Sequence, residues 1–320
     1  MRLAALLAVV LQFLSLAAHA QSYPGKTVRL LVPFAPGGSS SIIARLVAQK
    51  LTENLGQSFV VENKPGGAGN VAMLETARAE PDGYTIIMGH VGTLAMNPAM
   101  MTNLPFDTNR DFAPVSLIAI VPNIFVVNAK VPAKDLKEFI ALVKAKPGQI
   151  YYGSAGNGSA GHLAFEYLKL VSHIDIVHVP YKGTGPMLTD LLAGQTQAAS
   201  AGTPPLLPHV KAGKLRVIAV GTPQRIASLP EVATVAEQGF PGFQTSQWYG
   251  ILAPGKTPPA IVAKLSAEIA KATHSPEVVA RFKDDDSIPV GDTPAEFADF
   301  IKKEQVRWSE VVRKSGVKAE

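Results

Sequence analysis

Val28-Arg29-Leu30-Leu31-Val32-Pro33-Phe34-Ala35-Pro36-Gly37-Gly38-Ser39-Ser40-Ser41-Ile42-Ile43-Ala44-Arg45 reads as strand, glycine turn and helix in succession. The run Val28–Val32 is short and apolar enough for a buried strand, and Ile42–Leu51 carries apolar residues at helical spacing. Ser39 to Ser41 supply hydroxyls suited to an N-cap between them. Such a turn aims bare backbone N–H groups outward from a helix N-terminus, which is a ready anion site. Gly153-Ser154-Ala155-Gly156-Asn157-Gly158-Ser159 repeats the arrangement between the run Ile150–Tyr152 and the amphipathic Leu163–Leu170. Two turns of this kind, with no catalytic constellation between them, point to capture of a small anion between two lobes.

The same alternation continues along the chain: Thr85–Met88, Ile124–Val127 before Leu136–Val143, Ile174–Val179 before Met187–Leu192, and Leu215–Val220. It predicts an α/β fold with largely parallel sheets. Leu136, Phe139, Ile140 and Val143 mark one buried helical stripe, opened by Pro132 and Asp135 and closed by Pro147-Gly148. The last seventy or so residues read as helices without strands, over Pro259–Ala272, Ser275–Phe282 and Pro294–Lys314. Asp284-Asp285-Asp286 falls in the loop between the last two. It lacks the spaced acids and glycine of a calcium loop and reads as a solvated turn. The runs Ser116–Asn128, broken by Pro122, and Gln247–Pro254 look like crossings between lobes. They divide the chain into residues 21–122 with 247–320 as one lobe and 123–246 as the other.

Residues 1–20 combine Arg2, an apolar stretch from Leu3 to Ala18 and Ala18-His19-Ala20 before Gln21, the three parts of a secretory signal peptide. The chain is therefore expected to be exported. Cysteine is absent from all 320 residues, which excludes disulfides, thiolate metal sites and cysteine nucleophiles. A chain of this length can bury roughly three quarters of its unfolded surface, so its core suffices without staples. The formal charge of +5 is spread without a basic block, which argues against nucleic-acid binding and leaves a mild field that attracts small anions.

Several residue types are candidates for chemistry. Gly156-Asn157-Gly158-Ser159-Ala160-Gly161 fits the dinucleotide fingerprint, but Asp175 stands at the start of the next apolar run instead of at its end, where the ribose acid belongs. His90, at the end of the Thr85–Met88 run, and His162, after the second turn, are suited to donating to a carboxylate. No histidine pair has metal-ligand spacing, and no serine sits in G-x-S-x-G. Tyr181 and Lys182 lie in a loop before a helix, where Lys182 is either an anion contact or a solvated charge. Trp248 and Tyr249, at the second crossing, either wall the cleft or pack the hinge. An exported hydrolase or a dinucleotide-binding enzyme using the Gly156–Gly161 loop remains the alternative to a binding protein.

Together these segments resemble the Bug family, the TctC-like solute receptors of tripartite tricarboxylate transporters. The resemblance is carried by Val28 to Phe34 with Gly37-Gly38, Val61 to Asn70, Pro81 to Thr85, Asp111 to Val115, Ser154 to Ser159, Val177 to Gly183, Leu191 to Gln195 and Gly239 to Phe243. It implies a two-lobed periplasmic-binding-protein fold of type II, each lobe a mixed sheet flanked by helices. It implies a carboxylate in the cleft, held by Phe34, Ala35, Gly37, Gly38, Ser39 and Ser41 and by the loop Gly89 to Asn97 with His90 and Thr93. The opposite lobe would add Ser154, Ala155, Gly156, Asn157, Ser159, His162, Tyr181, Lys182, Ala201 and Gly202. The implied partners are a small carboxylate and a membrane permease or sensor kinase, for a monomer with no cofactor. Relatives commonly carry Asp where Ser41 stands and Asp-Asn where Ala201-Gly202 stands. Loss of two acids disfavours a ligand with a free ammonium and makes room for a larger or aromatic acid.

Overall fold

The computed structural model describes residues 23–315, so the leader expected at 1–20 lies outside the described residues. Its first third alternates β1 (Val28–Val32), α1 (Ser39–Leu55), β2 (Phe59–Asn63), α2 (Asn70–Ala77) and β3 (Thr85–His90). After a wide π turn at Gly92–Met96 and the short α3 (Asn97–Met100) comes β4 (Phe112–Asn128). The middle holds α4 (Leu136–Ala145), β5 (Tyr151–Ser154), α5 (Ala160–Ser172), β6 (Val177–Pro180), α6 (Thr184–Ala193), β7 (Ala198–Gly202), α7 (Thr203–Lys211) and β8 (Leu215–Val220). Then follow β9 (Ser246–Pro254), α8 (Pro259–Thr273), α9 (Pro276–Asp284), β10 (Ile288–Pro289) and α10 (Pro294–Ser315).

The strands run in the order β2-β1-β3-β9-β4-β7-β5-β6, with β8 and β10 also on β4. The long strand β4 holds two groups of strands together. Its first part, Phe112 to Pro122, pairs with β9, and its second part, from Asn123, pairs with β7 and β8. Pro122, which has no N–H to give a ladder, sits where the partner changes. The return crossing lies just ahead of β9, where Gly221 N donates to the Asn123 carbonyl and Thr245 N to the Gly221 carbonyl, each at 2.8 Å. Within each group the outer strands are parallel, β1 with β2 and β3, β5 with β6 and β7, but β4 and β9 run antiparallel. The sheet is thus mixed, where the alternation had predicted a largely parallel one.

Period-two alternation divides each strand between two helix layers. Leu30 and Val32 join α1, α8 and α9 on one face, whereas Leu31 joins α2 and α10 on the other. Phe125 and Val127 likewise face α4 and α5, and Ile124 and Val126 face α6 and α7. Helix α4 starts as its sequence predicts: the Asp135 carboxylate accepts the Glu138 N–H at 2.8 Å. Two expectations for the C-terminal part are overturned. The supposedly strand-free segment contains β10, whose Ile288 and Pro289 pair with Ile120 and Ala119. The acidic turn is only partly solvated: Asp284 is exposed, but Asp285 is buried, accepts the Thr203 hydroxyl on its carbonyl and lies 3.6 Å from Arg281, while Asp286 accepts the Ser228 N–H at 3.1 Å.

Candidate functional site

The loops that leave the C-terminal ends of β1, β3, β5 and β7 converge, the position at which α/β sheets bind ligands. Between them lies a small inner cavity of about 30 Å3 lined by Phe34, Ser39, Ser40, His90, Ala155, Ser159, Ala160, Gly161, Thr184, Ser200, Ala201, Gln247 and Tyr249. Three of its walls are helix N-termini. Gly38 caps α1 with no side-chain bond, so the N–H groups of Ser39 and Ser40 have neither an intrahelical partner nor a cap. In α5 the Ser159 hydroxyl accepts only the His162 N–H, leaving Ala160 and Gly161 open. Gly183 caps α6 without a side-chain bond, ahead of Thr184. Each N-terminus carries the equivalent of about half a positive charge.

No Asp, Glu, Lys or Arg lines this cavity. His90 contributes no charge either. Its ring stacks on Phe34 at 4.6 Å, meets Tyr249 edge-on at 6.4 Å, and accepts the Thr93 N–H on Nδ1 at 3.1 Å. Burial pulls its pKa down to about 4, so it is a neutral ring at pH 7. Burial likewise pushes the Tyr249 phenol up, and its O–H donates to Gln247 Oε1. Ser200 is 1% exposed, and its hydroxyl has no protein partner. The cavity therefore combines positive dipoles, one unengaged hydroxyl and an aromatic wall.

A second, larger cavity of about 430 Å3 shares the walls Phe34 and Ala155 with the first. It takes in the turn Gly66–Gly69, Gly156, Asn157, Tyr181 and Lys182. Across the cleft the backbones touch: Ala35 N donates to the Lys182 carbonyl at 2.9 Å. Gly37, at φ +93, lies against Gly185, and a methyl on Gly185 would run into the Pro36 carbonyl.

The second glycine loop is braced from below by a column of stacked rings. Phe165 lies 4.3 Å from Tyr152, Tyr152 4.8 Å from His178, and His178 4.2 Å from His162. His178 Nε2 is 2.7 Å from Ser154 Oγ, and His162 Nδ1 accepts the Gly158 N–H at 3.2 Å, so the column grips the loop at both ends. Burial pulls His162 down to about 4 and His178 to about 3, which keeps both rings neutral. Ser154 with His178 has the spacing of a nucleophile and base. Yet Ser154 is fully buried, and so weak a base has little drive to take a hydroxyl proton at neutral pH. For the dinucleotide alternative, Asp175 is exposed and precedes β6, and no acid ends that strand.

Of the residues named from sequence, Phe34, Ser39, His90, Ala155, Ser159 and Ala201 line the inner cavity, and Gly156, Asn157, Tyr181 and Lys182 the outer one. The others form the frame. Ala35, Gly37 and Gly38 make the touching backbone, and Gly202 lies where a Cβ would meet Ser39 Oγ at 2.6 Å. Ser41 accepts the Asn63 side chain at 2.6 Å, Gly89 packs on Leu94 and Leu252, and Thr93 serves His90. Asn97 donates to the Ala68 carbonyl and to Asn70, both at 3.0 Å. Ser154 and His162 belong to the ring column. Of the positions singled out by the resemblance, Ala201 stands on the inner wall and Ser41 does not. Ser40, Ala160, Gly161, Thr184, Ser200 and Gln247 are not among the ligand-binding residues expected from the sequence; Tyr249 walls the inner cavity, and Trp248 is core, donating to Glu304 at 2.8 Å.

The family model described as tripartite tricarboxylate transporter family receptor matches residues 43–317. The chain belongs to the tripartite tricarboxylate transporter receptor family. Among relatives, Protein BugT of Bordetella pertussis is 36% identical over 324 residues, covering 99% of each chain. Among receptors of known structure, R. palustris Rpa4515 with adipate is 35% identical at a TM-score of 0.90, covering 92% of this chain and 99% of that one. MatC from Rhodopseudomonas palustris with bound malate is 34% identical at 0.87, covering 91% and 100%. The receptor fold is the two-lobed one of periplasmic binding proteins.

Proposed function

We propose that this chain is a periplasmic receptor that captures a carboxylate between its two lobes and delivers it to a membrane permease of the tripartite type. The lobes are residues 21–122 with 247–320 and residues 123–246. The observation that carries the proposal is the convergence of the α1, α5 and α6 N-termini on a cavity with no charged side chain. Dipoles and N–H donors of this kind stabilise an anion and offer nothing to an ammonium. Relatives with adipate and malate in their structures fit the same class.

The energetics suffice. Micromolar affinity needs about 8 kcal/mol, and each hydrogen bond to a charged group contributes roughly 1.5–3 kcal/mol. Four or five donors from the two lobes therefore cover it after the cost of ordering. Because the donors come from both lobes, binding favours the closed arrangement. Thermal-shift and calorimetric screens of the mature chain against mono-, di-, tri- and aromatic carboxylates test this, with amino acids and NAD as controls. A carboxylate is expected to bind and to be recovered chemically unaltered. A response to NAD alone, or turnover of the bound acid, would overturn the proposal.

A further inference from the structure

Far from the cleft, β8 forms an edge of the sheet. Asn123 of β4 and Gly202 of β7 face each other at the cleft end, whereas Leu215 of β8 stands beside Asn128 at the opposite end. On its inner side β8 pairs with β4, and the Ala129 N–H donates to the Lys214 carbonyl at 3.1 Å. Opposing residues of an antiparallel ladder alternate between bonded and unbonded pairs. Lys214 and Arg216 therefore turn their peptide groups toward β4, and Leu215 and Val217 turn theirs outward. The Asn128 N–H has the same phase, pointing away from Leu215 to the Gln197 carbonyl at 3.0 Å. The upper part of the outer edge is sealed. The Val220 N–H donates to the Ala233 carbonyl at 3.2 Å, the Val235 N–H to the Val220 carbonyl at 2.9 Å, and the Gln238 amide to the Ile218 carbonyl at 2.9 Å. Below Ile218, among the described residues, no strand pairs with β8 on this side.

A cavity of about 610 Å3 runs along this open part, and its two walls differ. On one side Leu215 and Val217 pack with Leu229, Val210 and Val232. On the other stand Arg216 and Lys134. The Val131 and Ala133 carbonyls hold Arg216 in place by accepting its Nη1 at 3.1 and 3.0 Å. Lys130 and Lys214 flank the cavity and are exposed. Among the described residues none of these cations lies within ion-pair distance of a carboxylate. The acids beside them are already engaged by the backbone. Asp135 accepts the Glu138 N–H at 2.8 Å and Glu138 the Lys134 N–H at 2.7 Å, which leaves Glu231 on the exposed rim. Unmatched guanidinium and ammonium groups are partners for carboxylates. An open strand edge is a template for an extended chain, with main-chain bonds giving affinity and alternate side chains giving specificity.

We propose that the outer edge of β8 docks an extended segment of a partner protein in which apolar and acidic residues alternate. The segment adds a strand beside Leu215 and Val217. Successive side chains of a strand point to opposite faces. Its apolar residues therefore meet Val210, Leu229 and Val232, and its carboxylates meet Arg216 and Lys134. Because the groove lies at the end of the sheet opposite the cleft, docking and anion capture do not compete.

Fluorescence anisotropy of the mature full-length chain tests it, with a labelled hexapeptide of alternating glutamate and valine as the probe. A lysine–valine hexapeptide and a fully N-methylated glutamate–valine hexapeptide, which keeps the side chains and lacks the amide donors, serve as controls. The acidic peptide is expected to bind about tenfold tighter than either control. Hydrogen exchange of the Leu215 and Val217 amides is expected to slow when it binds. Lys134 is exposed and has no ion pair, so Lys134→Glu is expected to keep the native urea midpoint while weakening the acidic peptide about fivefold. Binding of none of the peptides, equal binding of the acidic peptide and either control, or an affinity unchanged in Lys134→Glu overturns the proposal. So does exchange at Leu215 and Val217 that the bound peptide leaves unaltered. A dimer in sedimentation with both amides protected before any peptide is added overturns it in favour of a second copy of this chain.

Discussion

Ser200 separates the demands of binding from those of folding. Its hydroxyl is buried on the cavity wall with no protein partner, an arrangement that costs about 1–3 kcal/mol when left unmade. Ser200→Ala removes that cost, so the free protein should be as stable as before or up to about 1 kcal/mol more stable. A carboxylate in the inner cavity would lose a charged hydrogen bond, and affinity should fall about tenfold, the equivalent of about 1.4 kcal/mol. Denaturant midpoints and calorimetric affinities measured on the same preparations check both signs. A parallel loss of stability and affinity would make Ser200 a packing residue instead. His90 offers a useful contrast, since its ring is held by Phe34, Tyr249 and Thr93 and stays neutral. It adds no charge, but because Nδ1 accepts the Thr93 N–H the proton of the neutral ring sits on Nε2, which leaves open the donation to a carboxylate that its position after a strand suggests.

At the level of elements, closure depends on glycines that the backbone itself does not require. Gly185 stands in the first turn of α6 at an ordinary helical φ, yet a methyl there would run into the Pro36 carbonyl across the cleft. Gly185→Ala should therefore fold normally, since alanine is the better helix residue by roughly 0.5–1 kcal/mol. It should weaken the ligand at least tenfold and abolish the ligand-induced compaction seen by small-angle scattering. Native affinity in this variant would mean that the seam does not close on binding. The contrast shows what the sequence made legible. Strand-turn-helix units, the helix start at Asp135 and the two glycine loops were readable because they follow from local spacing and φ requirements, whereas the cap expected among Ser39 to Ser41 falls on Gly38, with the serines inside α1. The wall residues Ser200 and Gln247 were not readable, because β7 and β9 carry no local signal of which face meets another lobe. The same limit hid β10, two residues long, and the burial of Asp285, both created by packing against distant segments. The ring column joining Tyr152, Phe165, His162 and His178 was equally out of reach, since it brings together three elements.

For the whole molecule, these buried groups set how stability depends on pH. His90 and His162 titrate at about 4 and His178 at about 3 in the folded protein, all lowered by burial, against 6.5 when free. Unfolding between about pH 4.5 and 6.5 therefore takes up protons on three histidines, and stability must fall as pH falls through that window. Asp285 acts in the opposite sense. Burial, chiefly, raises it from 3.8 to about 6, so the folded state holds a proton there that the unfolded chain releases. Near pH 5 the four groups leave a net uptake of about two protons, a slope of about 3 kcal/mol per pH unit. Over the two units from pH 7 to 5 the loss sums to about 4 kcal/mol, a large share of a total of roughly 5–15 kcal/mol. Asp285→Asn deletes the opposing term. It should raise stability at pH 7 by on the order of 2 kcal/mol and make the decline toward pH 5 steeper than in the native protein. Because Thr203 and Ser228 bond to the same acidic turn, the gain would tighten the junction between the two groups of strands. Urea unfolding at pH 7, 6 and 5 measures these slopes, and parallel curves for the two proteins would show that Asp285 is ionised like any surface acid.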